Sequence, residues 1–168
     1  NVSEESYRAI IEAKTAALFA AAAEVSGIVS DCTPDEIAAL DRYGREIGLA
    51  FQLVDDMLDY GGLSATLGKK TGDDFREGKV TLPVALAIAR ADDGERAFWT
   101  RVIADNEQTD TDFARALELI RKHGALEATL DAARTHAANA CDALARFPDN
   151  VWKTALTNLA EFVVERAH

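Results

Sequence analysis

The chain has 168 residues, which is the length of one domain and enough to bury a hydrophobic core. Hydrophobic residues make up 48% of it and charged residues 28%, and the formal net charge is −11. This acidity argues against binding to nucleic acid or to an anionic membrane surface, because both need basic patches. With only 10 Gly and 3 Pro, a loop-rich or all-β fold is also disfavoured.

The sequence contains no segment that resembles a signal peptide or a membrane span. The most apolar run, 16–23, is closed by Glu24, whereas a span needs about 20 residues. Cys32 and Cys141 form no paired motif, so neither a disulfide framework nor a zinc site is predicted. A reducing, cytoplasmic location is the expectation.

Helical patterns begin at the start of the chain. A first helix is predicted over about 3–26, ended by Gly27. The sequence TPDE at 33–36 is a capping box with proline at the first helical position, and it predicts a second helix over 34–60. Most of the glycine-containing stretch 61–80 is predicted to be loop.

The second half of the chain is predicted to be helical as well. The predicted helices, each bounded by Pro, Gly or a capping residue, cover 83–92, 95–104, 112–124, 125–147 and 150–166. No alternation of period two is long enough to predict a β-strand. The expected fold class is therefore all-α, with one domain of about seven helices.

An aspartate stripe lies near the end of the second helix. At about 100° per residue, its polar members share one face: Gln52, Asp55, Asp56 and Asp59. The rest of the helix surface is apolar, so most of it must be buried. Buried carboxylates cannot stay ionised without cations. Because proteins usually share Mg²⁺ between one or two carboxylates and substrate phosphates, the stripe predicts Mg²⁺ and a phosphorylated substrate.

The loop that follows the stripe contains glycine and lysine. Glycine lets a backbone approach a phosphate closely, and Lys69 and Lys79 can supply positive charge. The segment lacks the order of residues that defines a Walker loop. Together, the aspartate stripe and the basic loop favour a diphosphate-binding site.

Three sequence blocks resemble, in order and spacing, the trans-isoprenyl diphosphate synthases. FQLVDDMLD at 51–59 looks like the second aspartate-rich motif of that family. KTAALF at 14–19 resembles its KTAxLF helix, and LGKKTGDD and GKVTLP within 67–83 resemble its GK…GxD…GKxTLP region. The resemblance covers essentially the whole chain and implies an isoprenoid synthase-type helical bundle.

The chain also departs from the pattern of the family. Family members are longer, and their N-terminal half carries a first DDxxD and a GGKR-like basic block that do not occur here. We therefore expect residues 1–168 to be the C-terminal portion of a single synthase domain, and this portion alone to be inactive. The segments 92–108 and 147–152 look more like long-chain (octaprenyl- or decaprenyl-type) synthases than farnesyl-type enzymes.

The resemblance implies a prenyltransferase that condenses isopentenyl diphosphate with an allylic diphosphate into an all-trans polyprenyl diphosphate. It implies a direct Mg²⁺ ligand at Asp55, and ligands or holders of bound water at Asp56 and Asp59. The positions that it implies for substrate binding are Lys14, Thr15, Phe51, Gln52, Lys69 and Lys79. The positions that it implies for catalysis are Asp55, Asp56, Lys14 and Lys69. Family members are usually homodimers, so a homodimer is expected.

Two other functions stay open at this point. A class I terpene cyclase shares the fold and the Mg²⁺ chemistry, but it usually carries an NSE-type triad where this chain has DDxxD. A non-catalytic subunit of a heteromeric synthase is disfavoured by the intact aspartate stripe and the two loop lysines.

Overall fold

The computed structural model describes residues 4–61 and 72–166, and over this part of the chain the fold is helical without β-strands, as predicted. Helix α1 spans Glu4–Ile11, a π-helical turn follows at Glu12–Ala16, and α2 spans Ala17–Val29. The next helices are α3 (Pro34–Gly61), α4 (Asp73–Arg76), α5 (Leu82–Ala89) and α6 (Asp93–Trp99). After a second π-helical turn at Thr100–Ala104 come α7 (Asp112–Lys122), α8 (Ala125–Ala143), a 3₁₀ turn (Leu144–Arg146) and α9 (Val151–Glu165).

Two compact units divide the chain. Of the described residues, unit 1 contains 4–7, 55–61 and 72–129, and unit 2 contains 8–54 and 130–166. Helices α1, α3 and α8 each contribute residues to both units. Within the described ranges, no helix combines the length and the apolar character needed to cross a membrane.

A hydrophobic cluster holds unit 1 together. The aromatic side chains of Tyr60, Phe75 and Trp99 are 2% exposed or less. They share the cluster with Val84 and Ile120, which are fully buried. Each large apolar side chain removed from water contributes about 1.5–3 kcal/mol, so this cluster fixes the helices around the end of α3.

Two buried carboxylates connect helices of unit 1. Glu95 accepts a hydrogen bond from Lys122 Nζ at 2.6 Å and lies 2.8 Å from His123 Nε2. These two hydrogen bonds, that of Lys122 first, lower the pKa of Glu95 to about 2. Asp112 accepts two hydrogen bonds from Arg101, at 2.7 and 2.9 Å, and this pair lowers the pKa of Asp112 well below its usual range.

Close backbone approach defines unit 2. A Cβ at Gly44 of α3 would lie 2.3 Å from the carbonyl oxygen of Phe19, and one at Gly48 would lie 2.7 Å from Ala16 Cα. Since only hydrogen fits there, α3 packs directly on the backbone of α2 and of the π-helical turn. Small side chains also line α8, where Ala133, Ala137 and Ala140 are buried.

The end of α2 lies beyond the predicted end, and the predicted stop at Gly27 is wrong. Gly27 is buried inside the helix, where a Cβ would lie 2.8 Å from Leu40 Cδ1. The helix ends instead in a Schellman motif, in which Asp31 has φ of +52° and the Cys32 N–H donates to the Gly27 carbonyl. Gly27 therefore serves helix packing rather than helix termination.

The prediction for α3 is confirmed by its capping box. The Thr33 N–H donates to Glu36 Oε2 at 2.8 Å, and the Glu36 N–H donates back to Thr33 Oγ1 at 3.4 Å. Within the stretch predicted as loop, 72–80 contains the short helix α4. The first turn of α4 is held by contacts with α3. Contacts between distant residues leave no local pattern, so the sequence does not predict this helix.

Replacing Gly44 by alanine is expected to destabilise the complete protein by about 1–3 kcal/mol, because the new methyl group overlaps backbone atoms that cannot rotate away. Gly61→Ala on the same helix is the control, since a Cβ there has no neighbouring atom within 4 Å. Denaturant unfolding of both variants checks this. Equal stabilities would contradict the close approach of α2 and α3.

Acid is expected to remove the stabilisation that Glu95 provides. The pKa of Glu95 is lowered in the folded protein, so its contribution is complete above its ordinary pKa and is lost as pH falls towards about 2. The free energy of unfolding of wild type and of Glu95→Gln should therefore converge over this range. Glu118→Gln, which removes an exposed pair with Arg115, is the matched control for the loss of one carboxylate.

Candidate functional site

The aspartate stripe lies in the last two turns of α3, within unit 1. Asp56 is buried, at 3% exposed, while Asp55 and Asp59 are half-buried. Neighbouring Met57 and Tyr60 are buried as well, so the stripe lies on a helix with little solvent around it. The stripe is therefore a partly buried face rather than a fully solvated one, with Asp56 as its buried member.

The carboxylate of Asp56 faces Tyr7 of α1. The Tyr7 hydroxyl donates a hydrogen bond to Asp56 Oδ2, and both side chains are buried. Burial, followed by the nearby charge of Asp56, raises the pKa of Tyr7 well above its usual range. The hydroxyl therefore keeps its proton and acts as a donor. No local sequence pattern connects Tyr7 with the stripe, because Tyr7 and Asp56 are 49 positions apart in the chain.

The carboxylate of Asp59 holds the start of α4. Its Oδ1 accepts from the N–H groups of Gly72 at 3.1 Å and Asp73 at 3.3 Å, and its Oδ2 accepts from that of Asp74 at 3.1 Å. Burial raises the pKa of Asp59 despite these three donors. Asp59 thus has a structural task in addition to any contact with a cation.

Of the two loop lysines, the structure describes only Lys79. Lys79 is exposed and pairs with Asp74 at 3.0 Å and with Glu77, and these hydrogen bonds raise its pKa. Lys69 lies outside the described residues. The roles of both lysines at a diphosphate stay predictions.

The KTAxLF block forms the π-helical turn and the start of α2 in unit 2. Thr15 Oγ1 donates to Gln52 Oε1 at 2.8 Å, so two predicted site residues are in direct contact. Lys14 is exposed in the same turn. Single π-helical turns inside α-helices occur often at functional sites, and the sequence pattern did not predict this one.

The ring of Phe51 is covered by two side chains of unit 2. Phe19 lies 5.8 Å away between ring centroids, and the Arg166 guanidinium carbon lies 4.1 Å above the ring centre. Arg166 Nη2 also donates to the Phe51 carbonyl at 3.1 Å. Sequence reasoning missed Arg166, since a single arginine near the end of a helix has an ordinary surface interpretation.

The stripe has the oxygen chemistry that Mg²⁺ prefers. In the part of the chain that the structure describes, no three His, Cys, Asp or Glu side chains are grouped so as to hold a metal ion by themselves. Asp56 and Asp59 face donors of the protein, as described, and Asp55 begins the stripe as a half-buried carboxylate. These residues fit Mg²⁺ bound by one or two carboxylates and completed by phosphate oxygens.

Comparison with known proteins identifies the family. A family model described as polyprenyl synthetase matches residues 1–120. The chain belongs to the polyprenyl synthetase family. The octaprenyl diphosphate synthase of Escherichia coli (strain K12) is 42% identical over 166 residues, which are 99% of this chain and 51% of that protein. The chain thus spans about half the length of the curated relatives it matches.

Solved structures of polyprenyl synthases have the same fold. A polyprenyl synthase from Caulobacter crescentus CB15, complexed with calcium and isoprenyl diphosphate, is 54% identical with a TM-score of 0.94, covering 100% of this chain and 51% of that one. A decaprenyl diphosphate synthase from Rhodobacter capsulatus is 51% identical with a TM-score of 0.93, over 99% and 51%. The isoprenoid synthase-type helical fold expected from the sequence is confirmed.

Replacing Asp59 by alanine is expected to loosen the start of α4, because the N–H groups of Asp73 and Asp74 lose their side-chain acceptor, while that of Gly72 keeps the Asp59 carbonyl. A hydrogen bond to a charged group contributes about 1.5–3 kcal/mol, so hydrogen exchange at Asp73 and Asp74 should accelerate by about tenfold or more. Asp73→Ala is the control, since it removes an exposed pair with Arg76 and leaves these N–H bonds intact. Unchanged exchange at Asp73 and Asp74 would contradict the role of Asp59.

Proposed function

We propose that the complete protein is a Mg²⁺-dependent prenyltransferase that condenses isopentenyl diphosphate with an allylic diphosphate into an all-trans polyprenyl diphosphate. The observation that carries this proposal is the Asp55-Asp56-x-x-Asp59 stripe at the end of α3, with Asp56 buried and its neighbours half-buried, in a chain of the polyprenyl synthetase family. Carboxylates in this setting need a cation, and a diphosphate supplies the remaining oxygen ligands.

Mg²⁺ supplies positive charge for a diphosphate leaving group, on which negative charge grows as the bond to carbon breaks. Asp55 is proposed as its direct ligand. Asp56 and Asp59 act as further ligands or hold bound water, and their orientation is set by the Tyr7 hydroxyl and by the N–H groups at the start of α4. The relative from Caulobacter crescentus, solved with calcium and isoprenyl diphosphate, supports the use of a divalent cation.

Lysine side chains are proposed to bind the allylic diphosphate. Lys14 and Lys79 are exposed, so each can reach a ligand from solvent. Lys79 would then share its charge between the diphosphate and Asp74. Lys69 completes the proposed set, and Thr15, Gln52 and Phe51 are proposed to line the substrate site.

A homodimer in the cytoplasm completes the proposal. The side chains of Leu18, Val25 and Val29 on α2 are more than half exposed, at 75%, 53% and 77%. An apolar helix surface of this kind is suited to burial against another protein surface. A reducing cytoplasm is consistent with Cys32 and Cys141, both of which are free thiols.

The decisive experiment incubates the purified complete protein with labelled isopentenyl diphosphate, an allylic diphosphate and Mg²⁺. A labelled all-trans polyprenyl diphosphate is the expected product, and it should disappear when a chelator removes the metal. A hydrocarbon formed without isopentenyl diphosphate would identify a terpene cyclase instead. Activity that appears only after a second polypeptide is added would identify a non-catalytic subunit.

Asp55→Ala in the complete protein is expected to lower kcat by about 10²–10³, the usual cost of losing one electrostatic contact to the transition state. Asp59→Ala should lower kcat less at a temperature where both variants are folded, because the carboxylate of Asp59 mainly holds α4. Asp93→Ala, a fully exposed carboxylate on α6, is the control. Equal losses for Asp55→Ala and Asp59→Ala would contradict this division of roles.

A further inference from the structure

A buried tyrosine joins two helices at the aspartate stripe. Tyr7 of α1 and Asp56 of α3 are each 3% exposed, and the hydroxyl of one donates to the carboxylate of the other.

The geometry of a hydroxyl group makes this connection directional. A tyrosine hydroxyl has one proton to donate, and its oxygen can accept. Because an ionised carboxylate can only accept, the proton points to Asp56 Oδ2. A carboxylate held at one oxygen cannot rotate freely, so the direction of Oδ1 is fixed as well.

We propose that Tyr7 is a positioning residue for the Mg²⁺–diphosphate site, acting through the carboxylate of Asp56. This inference rests on the proposed function, since it takes Asp56 as part of that site. Groups that orient metal ligands in this way typically contribute about 10–100-fold to metal affinity. Tyr7 thus affects the metal although it is not itself a ligand.

Tyr43 provides a matched comparison. It lies on α3, is 4% exposed, and its hydroxyl donates to the carbonyl oxygen of Leu156 at 2.9 Å. Both tyrosines are therefore buried and hydrogen-bonded. Only Tyr7 donates to a carboxylate of the stripe, so loss of the Tyr43 hydroxyl should affect stability alone.

The first experiment measures metal affinity in the complete protein without turnover. Binding of Mn²⁺ alone, as a substitute for Mg²⁺, is followed by the electron paramagnetic resonance signal of the free ion. Tyr7→Phe should bind Mn²⁺ about tenfold more weakly than wild type, whereas Tyr43→Phe should bind it as wild type does. Wild-type affinity in folded Tyr7→Phe, or an equal loss in both variants, would overturn the proposal.

A double-mutant cycle tests whether Tyr7 acts through Asp56. Asp56→Asn keeps an oxygen that can accept from Tyr7 but removes the charge. In that background, Tyr7→Phe should change Mn²⁺ affinity by less than about twofold, because the two residues act as a unit. A tenfold loss in both backgrounds would show that Tyr7 acts by another route and would overturn the proposal.

A probe that retains the hydroxyl covers the case in which Tyr7→Phe does not fold. 3-Fluorotyrosine is incorporated at position 7 alone, and its ¹⁹F signal is recorded as Mg²⁺ and inorganic diphosphate are added. The signal should shift on addition, while the same label at position 43 should not. An unchanged signal at position 7 would overturn the proposal.

These readouts separate the two proposals. If the complete protein makes no polyprenyl diphosphate but Tyr7→Phe weakens Mn²⁺ binding, the proposed function fails and the coupling of Tyr7 to a metal site stands. If the protein is active and Tyr7→Phe shows wild-type Mn²⁺ binding, only the role of Tyr7 fails. In an active protein, the expected kinetic signature is a higher Mg²⁺ requirement with kcat largely recovered at saturating Mg²⁺.

Discussion

Negative charge collected at the end of one helix is the constraint on which unit 1 depends. Asp55, Asp56 and Asp59 lie in the last two turns of α3, where the helix dipole also places its negative end. The chain as a whole carries a net charge of −11, so charges elsewhere in the chain do not offset the negative charge of these carboxylates. Hydrogen-bond donors of the surrounding helices point towards these carboxylates, namely the Tyr7 hydroxyl and the N–H groups at the start of α4.

The segment that resembles the long-chain synthases takes part in this arrangement. Gln108 Nε2 donates to the Phe75 carbonyl at 2.9 Å and to the Val102 carbonyl at 3.0 Å, and so connects the second π-helical turn to α4. The pair of Arg101 with Asp112 fixes the same segment against α7. Residues 92–108 therefore help to hold α4 in place. Because Asp59 of the stripe accepts from the start of the same helix, this segment supports the structure next to the stripe.

Local signals made much of the fold and the centre of the candidate site predictable. The capping box at 33–36 located the start of α3, and helical periodicity placed the stripe on one face of it. Contacts between distant residues were not predictable, because no local pattern encodes them. Tyr7 reaches Asp56 across 49 positions, and Gly27 was taken for a helix stop because only the neighbouring helix shows why it must be small. The π-helical turn at Glu12–Ala16 left no signal in the hydrophobic pattern.

The glycine contacts between α2 and α3 have a consequence for how unit 2 responds to heat. In most helix interfaces the contacts are between side chains. These side chains change rotamer more often as the temperature rises, so the helices can shift against each other. At Gly44 and Gly48 the contact is between main-chain atoms, which have no rotamers to populate. The spacing that brings Thr15 to Gln52 should therefore stay constant while the surrounding side chains become mobile. In unit 2 the distance between these helical segments is thus set by van der Waals contact of main-chain atoms.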